Sequence, residues 1–328
     1  MDVRELDNLL REKTKAAVAE SAQKWRQRAG RVEKPTHPCL HFFGTGGNPE
    51  ANIGQNPRTA GFLVNLGEAY LWIDPGPGAL ASVNEHHIDL GSLDAVYISH
   101  GHVDHYANAE ILVEGMCWAM STRRGLLLGP ESVFTEKLIS TYHQGETTKH
   151  GYLGGPEVRY LKTGEPIAIK DVILTPTPAY HGGENYGFII EYGGFKLGYT
   201  SDTNYIRSYR TSQGIQEMQR MGPIMDFEEV VDYRQDVKAA YQDVDVLIAN
   251  VTTHNSWAHR HITTLGLAHL LQGSKVKTCY LSHFNYCCVD PVDLREQMSE
   301  YVTRVSGITT FPAYDDLQID LSPYIAKE

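Results

Sequence analysis

Apolar positions change their period along this chain. Over residues 2 to about 30, Val3, Leu6 and Leu10 recur at helical spacing among Ala, Glu, Lys, Arg and Gln, with no internal Gly or Pro. This predicts one long charged helix, ended by Gly30 and Pro35. Its charges are mixed in sign, so it reads as an amphipathic appendage packed on its own domain or on a second subunit. From residue 40 the period shortens to β-rich runs between Gly/Pro turns, and strands are predicted at 40–43, 60–66, 70–73, 95–99, 172–177, 188–192, 196–199, 244–249 and 278–281. Helical spacing returns near 78–87, 107–119, 131–142, 227–241, 263–272 and 291–303. Early strands cluster as hairpins and later ones alternate with helices. Layered sheets covered by helices are therefore expected, with no fixed-period repeat. The chain divides into a helical extension, residues 1–34, and one domain, residues 35–328.

Composition narrows the function classes. With 328 residues, 41% hydrophobic and 21% charged, the chain can bury a core and is far from a disordered composition. No apolar run approaches the roughly 18 residues a membrane span needs, and the first residues are too charged for a signal peptide. A soluble, cytoplasmic protein is expected. Lys plus Arg total 29 against 40 Asp plus Glu, a net charge of -11, which disfavours a long nucleic acid as partner. Five cysteines without C-x-x-C spacing suit a reducing compartment and inert thiols rather than a disulfide framework or a zinc–thiolate site. Histidine, with 15 residues, is the unusual component.

The decisive segment is Ile98-Ser99-His100-Gly101-His102-Val103-Asp104-His105, where an apolar strand runs out into a loop. Four metal-ligand side chains fall within six residues, a pattern expected by chance only about 0.002 times in such a chain. In extended backbone, residues two apart point the same way, so His100 and His102 can grip one ion. Asp104 and His105 lie further along the turn and can face a second. Imidazole and carboxylate without thiolate suit Zn²⁺ and permit Mn²⁺, Fe or Ni.

This segment resembles the signature of the metallo-β-lactamase-fold hydrolase superfamily, over about residues 40–285. Asp74 in Leu71-Trp72-Ile73-Asp74-Pro75-Gly76 matches its first motif and His100 to His105 the second. His181 after Ala179-Tyr180, Asp202 after Thr200-Ser201 and His283 after Leu281-Ser282 match the third, fourth and fifth. The resemblance implies an α/β fold, an αββα sandwich, with the N-terminal helical extension added and the site along one edge of the two sheets. It implies one metal held by His100, His102 and His181, a second held by Asp104, His105 and His283, and Asp202 bridging both. Two divalent ions, Zn²⁺ foremost with Mn²⁺ or Fe permitted, would lower the pKa of bound water toward 7 and polarise a substrate oxygen. Asp74 would act behind the ligands, orienting a histidine or the water.

Three features favour phosphodiesters among the chemistries this fold hosts. Phe43-Gly44-Thr45-Gly46-Gly47-Asn48-Pro49, followed by Asn56-Pro57-Arg58-Thr59-Ala60, is similar to the G-T-G opening of the RNase Z-like branch, and such a turn can bring backbone N–H groups to phosphate oxygens. His259-Arg260-His261-Ile262-Thr263-Thr264, with Ala268 following, resembles the H-x-T segment of that branch. His261 would then stabilise developing charge or protonate the leaving alkoxide, while Thr263 or Thr264 also suits a helix N-cap. The third is a departure: only 20 residues separate His181 from Asp202, too few for the basic arm of tRNA-processing members. Small phosphodiesters such as cyclic nucleotides are thereby favoured, as in the phosphodiesterases that counter Pycsar defence or serve phosphonate metabolism.

Tyr205, Arg207, Tyr209 and Arg210 follow the bridging Asp, either over the site as base and phosphate contacts or as ordinary surface. Residues 121–170, with Arg123, Arg124, His143 and His150, form another excursion without assigned roles. The resulting expectation is a cytoplasmic, homodimeric, two-metal phosphodiesterase using a metal-generated hydroxide. RNase Z-like RNA 3′ processing, a lactone or ester hydrolase, and a non-hydrolytic nucleotide-binding sponge are the alternatives.

Overall fold

Strands rich in Val, Ile, Leu and aromatic residues form two seven-stranded sheets in the computed structural model of the protein, which describes residues 1–27, 31, 34–145, 154–218, 227–255 and 260–325. From edge to edge the first sheet runs Gln318–Asp320, Cys39–Phe42, Phe62–Leu66, Ala69–Ile73, Ala95–Tyr97, Arg123–Gly129 and Gly155–Tyr160. The second runs Thr309–Pro312, Thr278–Ser282, Val246–Asn250, Phe195–Tyr199, Tyr186–Tyr192, Val172–Pro178 and Ile167–Ile169. Both mix antiparallel hairpins with parallel strands reached through helices. The central strands are buried at every position, which explains why they read as continuous apolar runs.

The core has three parts, the division that an αββα sandwich requires. Phe42, Phe62, Leu71, Tyr97, Phe188, Tyr199 and Ile248 pack between the sheets. Phe43, Trp72, Ile98, Leu112 and Val113 pack on the outer face of the first sheet, which helices Ala79–Glu85 and Ala109–Met116 cover. Leu247, Leu281, Leu267, Leu270 and Val302 do the same on the second, under Thr264–Leu271 and Arg295–Ser306.

The N-terminal helix spans Val3–Arg26 and begins with a capping box: Asp2 accepts from the Arg4 and Glu5 amides, while the Glu5 side chain takes the Asp2 amide. It reaches the domain through Trp25, edge-on to Trp118 with ring centroids 5.4 Å apart. Gly30, its expected terminator, lies outside the described residues.

Several sequence-based expectations are corrected. The helix expected at 227–241 begins as a strand, Phe227–Tyr233, and only Gln235–Ala240 is helical. Val230, Val231 and Tyr233 have β-forming side chains, and pairing with Ile206–Thr211 overrides the helix-like spacing of the acidic residues. Together with Gly214–Glu217 these strands make a small third sheet. The helix expected at 131–142 is confined to Glu131–Thr135. The 121–170 excursion supplies the last two strands of the first sheet, Arg123–Gly129 and the edge strand Gly155–Tyr160.

Candidate metal centre

Each candidate ligand sits where a strand gives out. His100 follows Ala95–Tyr97 by three residues, His181 follows Val172–Pro178 by three, Asp202 follows Phe195–Tyr199 by three, and His283 directly follows Thr278–Ser282. His102 is the N-cap of the short helix Val103–Tyr106, whose single turn carries Asp104 and His105. Asp74, Ser201 and His283 all hold positive φ, at 50°, 52° and 64°. Non-glycine residues in that region store about 1–3 kcal/mol each, and they concentrate where side chains must be aimed.

The seven residues do converge. His100, His102 and His181 offer ligand atoms mutually within 4.8 Å, and so do Asp104, His105 and His283. His100 Nε2 is 2.9 Å from His102 Nδ1, which is 3.1 Å from His181 Nε2. Between the two groups stands Asp202. Its Oδ2 lies 4.0 Å from His100 Nε2, 3.6 Å from His181 Nε2, 3.4 Å from His105 Nε2 and 3.2 Å from His283 Nε2. Its Oδ1 is occupied by the Asn250 amide at 2.8 Å, so Oδ2 is the oxygen that faces the imidazoles.

Neighbouring groups fix which nitrogen His105 and His181 present. Asp74 is buried and accepts four hydrogen bonds: Ser99 N at 2.7 Å on Oδ1, and Ser99 Oγ at 2.8 Å, His105 Nδ1 at 2.8 Å and Tyr199 Oη at 2.7 Å on Oδ2. Its bond to His105 Nδ1 leaves His105 Nε2 turned toward the basin. His181 Nδ1 donates to the Arg260 carbonyl at 2.9 Å, which aims its Nε2 the same way. Ser99, Tyr199, Asn250 and the Arg260 carbonyl were not foreseen. No motif marks them, because each acts through Asp74 or a candidate ligand rather than as one.

The electrostatics follow from burial against charge. Burial alone would raise the Asp202 carboxyl, but His283, His105 and His261 around it hold it well below the ordinary carboxylate range. Asp104 is lowered likewise, against its burial, by His105 and His283. Burial opposes charge on His105 and His283, yet the carboxylates win, raising the first well above an ordinary imidazole and the second to about 9. His100 and His261 go the other way, depressed first by burial.

These residues fit a pair of divalent ions. His105 Nε2 and both ring nitrogens of His283 are buried without a hydrogen-bond partner, and no fold stabilised by its own contacts gains from such orphans. The donors are imidazole and carboxylate, and all five cysteines are free and outside these groups. A further group, His41, His86 and Asp316, has similar spacing, but Arg58 already pairs with Asp316.

His261 stands beside this basin, buried, with Nδ1 3.7 Å from Asp202 Oδ2 and its ring centroid 4.5 Å from that of His181. Thr263 Oγ1 accepts from Gly266 N at 3.2 Å as the helix N-cap. His261, His102, His181, Asp104 and Asp202 line a cavity of about 440 Å³. His259 lies outside the described residues. The glycine turn serves close approach: a Cβ on Gly47 would sit 2.1 to 2.3 Å from ring atoms of His283.

Other expectations place elsewhere. Tyr205 is fully buried against His269, Arg207 pairs with Asp232, and Arg210 with Glu229, so this segment braces the third sheet and cannot offer Tyr205 to a base. Arg124 donates to the carbonyls of Gly91 and Leu93, and His143 pairs with Glu110 and Glu114. His150 lies outside the described residues. Between His181 and Asp202 there is only the hairpin Tyr186–Tyr192 and Phe195–Tyr199.

Residues 70–225 match the family described as the beta-lactamase superfamily domain. The chain is 29% identical to an uncharacterized protein of Methanocaldococcus jannaschii, over 85% of this chain and 94% of that one. It is 26% identical to ribonuclease Z of Sulfolobus acidocaldarius, over 46% of this chain and 47% of the enzyme. Among solved structures, the metallo-beta-lactamase fold protein YhfI of Bacillus subtilis superposes with a TM-score of 0.63 at 16% identity, covering 87% of this chain and 99% of that one. The short form of human tRNase Z gives 0.58 at 15%, covering 88% and 100%. No described helix is long and apolar enough to cross a membrane.

Proposed function

We propose that this chain, which has the metallo-β-lactamase fold and ribonuclease Z among its relatives, is a two-metal phosphodiesterase acting on small phosphodiesters such as cyclic nucleotides. The observation that carries the reading is Asp202 Oδ2, set between two groups of three ligands with His261 at its side. Zn²⁺ suits the donor set best. Bound there, a pair of divalent ions supplies Lewis acidity and a water that ionises near neutrality.

The rest is the chain's own work. Asp202 and Asp104 bring negative charge and the imidazoles bring none once they present a lone pair, so the loaded basin is net positive and attracts an anionic substrate despite the acidic protein. Asp74 and the Arg260 carbonyl hold His105 and His181 in the tautomer that faces inward. His261, kept neutral by burial, directs a ring nitrogen into the cavity. There its N–H stabilises charge developing on the phosphate oxygens and on the leaving alkoxide. The short hairpin between His181 and Asp202 supports small substrates over long RNA. The ribonuclease Z relatives favour RNA 3′ processing as the second reading.

A zinc- or manganese-loaded preparation should hydrolyse bis(p-nitrophenyl) phosphate and at least one cyclic nucleotide, and leave pre-tRNA and a lactone intact. Hydrolysis of the lactone alone would sink the reading, and pre-tRNA cleavage alone would replace it with the second. A cytoplasmic homodimer belongs to the same proposal. Five unpaired cysteines suit a reducing compartment. Val3, Leu6 and Leu10 lie exposed on the N-terminal helix, and light scattering should return twice the chain mass.

A further inference from the structure

The cavity at the metal basin adjoins a second one of about 610 Å³, which shares His102, His181 and Arg260 with it. The two differ in charge. Glu50, Asp104 and Asp202 line the first, whereas the second is lined by Arg234 and Arg260 and by no carboxylate.

Arg234 is held in place by its side chain and Arg260 by its backbone. The Arg234 guanidinium lies over the Tyr180 ring, 3.8 Å from its centroid, and its Nε donates to Asn204 Oδ1 at 3.0 Å. Asn204 is itself tied to the backbone, its amide donating to the Tyr180 carbonyl at 2.7 Å and its Nδ2 to the Ile206 carbonyl at 2.9 Å. Tyr180 Oη donates to Asp236. The Arg260 carbonyl accepts from His181, which fixes the backbone carrying that guanidinium to a candidate ligand.

Among the described residues neither guanidinium has a carboxylate within the 4.0 Å of an ion pair, while Arg58, Arg207, Arg210, Arg295 and Arg304 all do. In a chain of net charge -11, two unneutralised cations facing one recess make a site for an anion. Gly182–Gly183, at φ 98° and 74°, also lines this recess, with nothing within 4 Å of where a Cβ would stand. The one acid beside this turn, Glu184, is turned away to the Ser132 amide at 2.7 Å.

We infer that this recess binds a second, non-scissile phosphate, so that the substrate class narrows to a small nucleotide phosphodiester that carries a further phosphate, the diester at the histidine basin and the further phosphate against Arg234 and Arg260. Which phosphate is cut rests on the phosphodiesterase reading, whereas the binding itself does not. A mononucleotide cyclic phosphate would fill only half of such a site.

Calorimetric titration of the zinc-loaded protein with adenosine 3′,5′-bisphosphate, adenosine 5′-monophosphate and adenosine 3′-monophosphate tests this without turnover. The bisphosphate should bind about tenfold tighter than either monophosphate. Arg234→Ala and, independently, the more exposed Arg260→Ala should each shrink that ratio below about threefold, with Arg234→Lys intermediate. Arg207→Ala, which removes an equal charge from the outer sheet, should leave it unchanged. Equal affinities in the unaltered protein, or a ratio that survives both alanine variants, would overturn the subsite. A bisphosphate preference without hydrolysis of bis(p-nitrophenyl) phosphate would keep the subsite and remove the phosphodiesterase. Hydrolysis without the preference would do the reverse.

Discussion

Asp74→Asn separates the positioning of a ligand from ligation itself. The two side chains share a shape, and Asn tolerates the left-handed backbone at φ 50°, so the turn is not strained. The carboxylate accepts one bond on Oδ1 and three on Oδ2. An amide satisfies the larger set only by keeping its oxygen at Oδ2, which leaves its NH₂ against the Ser99 N–H, two donors facing each other in a buried site. One lost bond and an unsatisfied pair cost about 1–3 kcal/mol. The charge that sharpens His105 is lost as well, and outer partners of metal-bound histidines are worth about 10–100-fold in affinity. Zinc titration against a competing chelator at pH 7 should therefore show one of two ions weakened by about 10–100-fold, while far-ultraviolet dichroism stays unchanged. If the folded variant bound both ions within twofold of the unaltered protein, the idea that Asp74 holds His105 for metal would be wrong.

Three further perturbations probe neighbouring links. Gly47→Ala places a Cβ 2.1 Å from His283 Cε1, so the ring or the turn must move; metal analysis after dialysis should fall from two ions per chain to about one. His261→Ala should leave metal content intact and lower kcat on bis(p-nitrophenyl) phosphate by about 10²–10³, and a drop below threefold would remove His261 from the chemistry. His41, buried beside His86 and Arg58, has its pKa lowered to about 4, first by burial. The unfolded chain takes that proton near 6.5 and the folded one only near 4, so this stability is complete above pH 6.5 and lost as pH falls toward 4. The urea midpoint should fall across that window, and His41→Gln should flatten the fall by on the order of 2 kcal/mol.

Much of this was legible in the chain itself, for identifiable reasons. Strands such as Phe62–Leu66 and Val246–Asn250 are buried along their whole length, so hydropathy alone betrays them. The candidate ligands were legible because metal chemistry admits few residue types, and here they stand at strand ends. Phe227–Tyr233 was not, since its strand state depends on pairing with Ile206–Thr211, distant in sequence. The Tyr205 segment stays open in the sequence for the same reason: proximity to Asp202 along the chain says nothing of which side its rings take. Arg234 lies 53 positions from Arg260's neighbour His181, and only the folded chain shows that both arginines face one recess.

Zinc-edge anomalous diffraction from crystals of the loaded protein addresses the metal basin most directly. Two peaks are expected, one within bonding distance of His100, His102 and His181 and the other of Asp104, His105 and His283, with Asp202 Oδ2 touching both. A single peak, or one at His41, His86 and Asp316 in place of these, would contradict the two-metal centre.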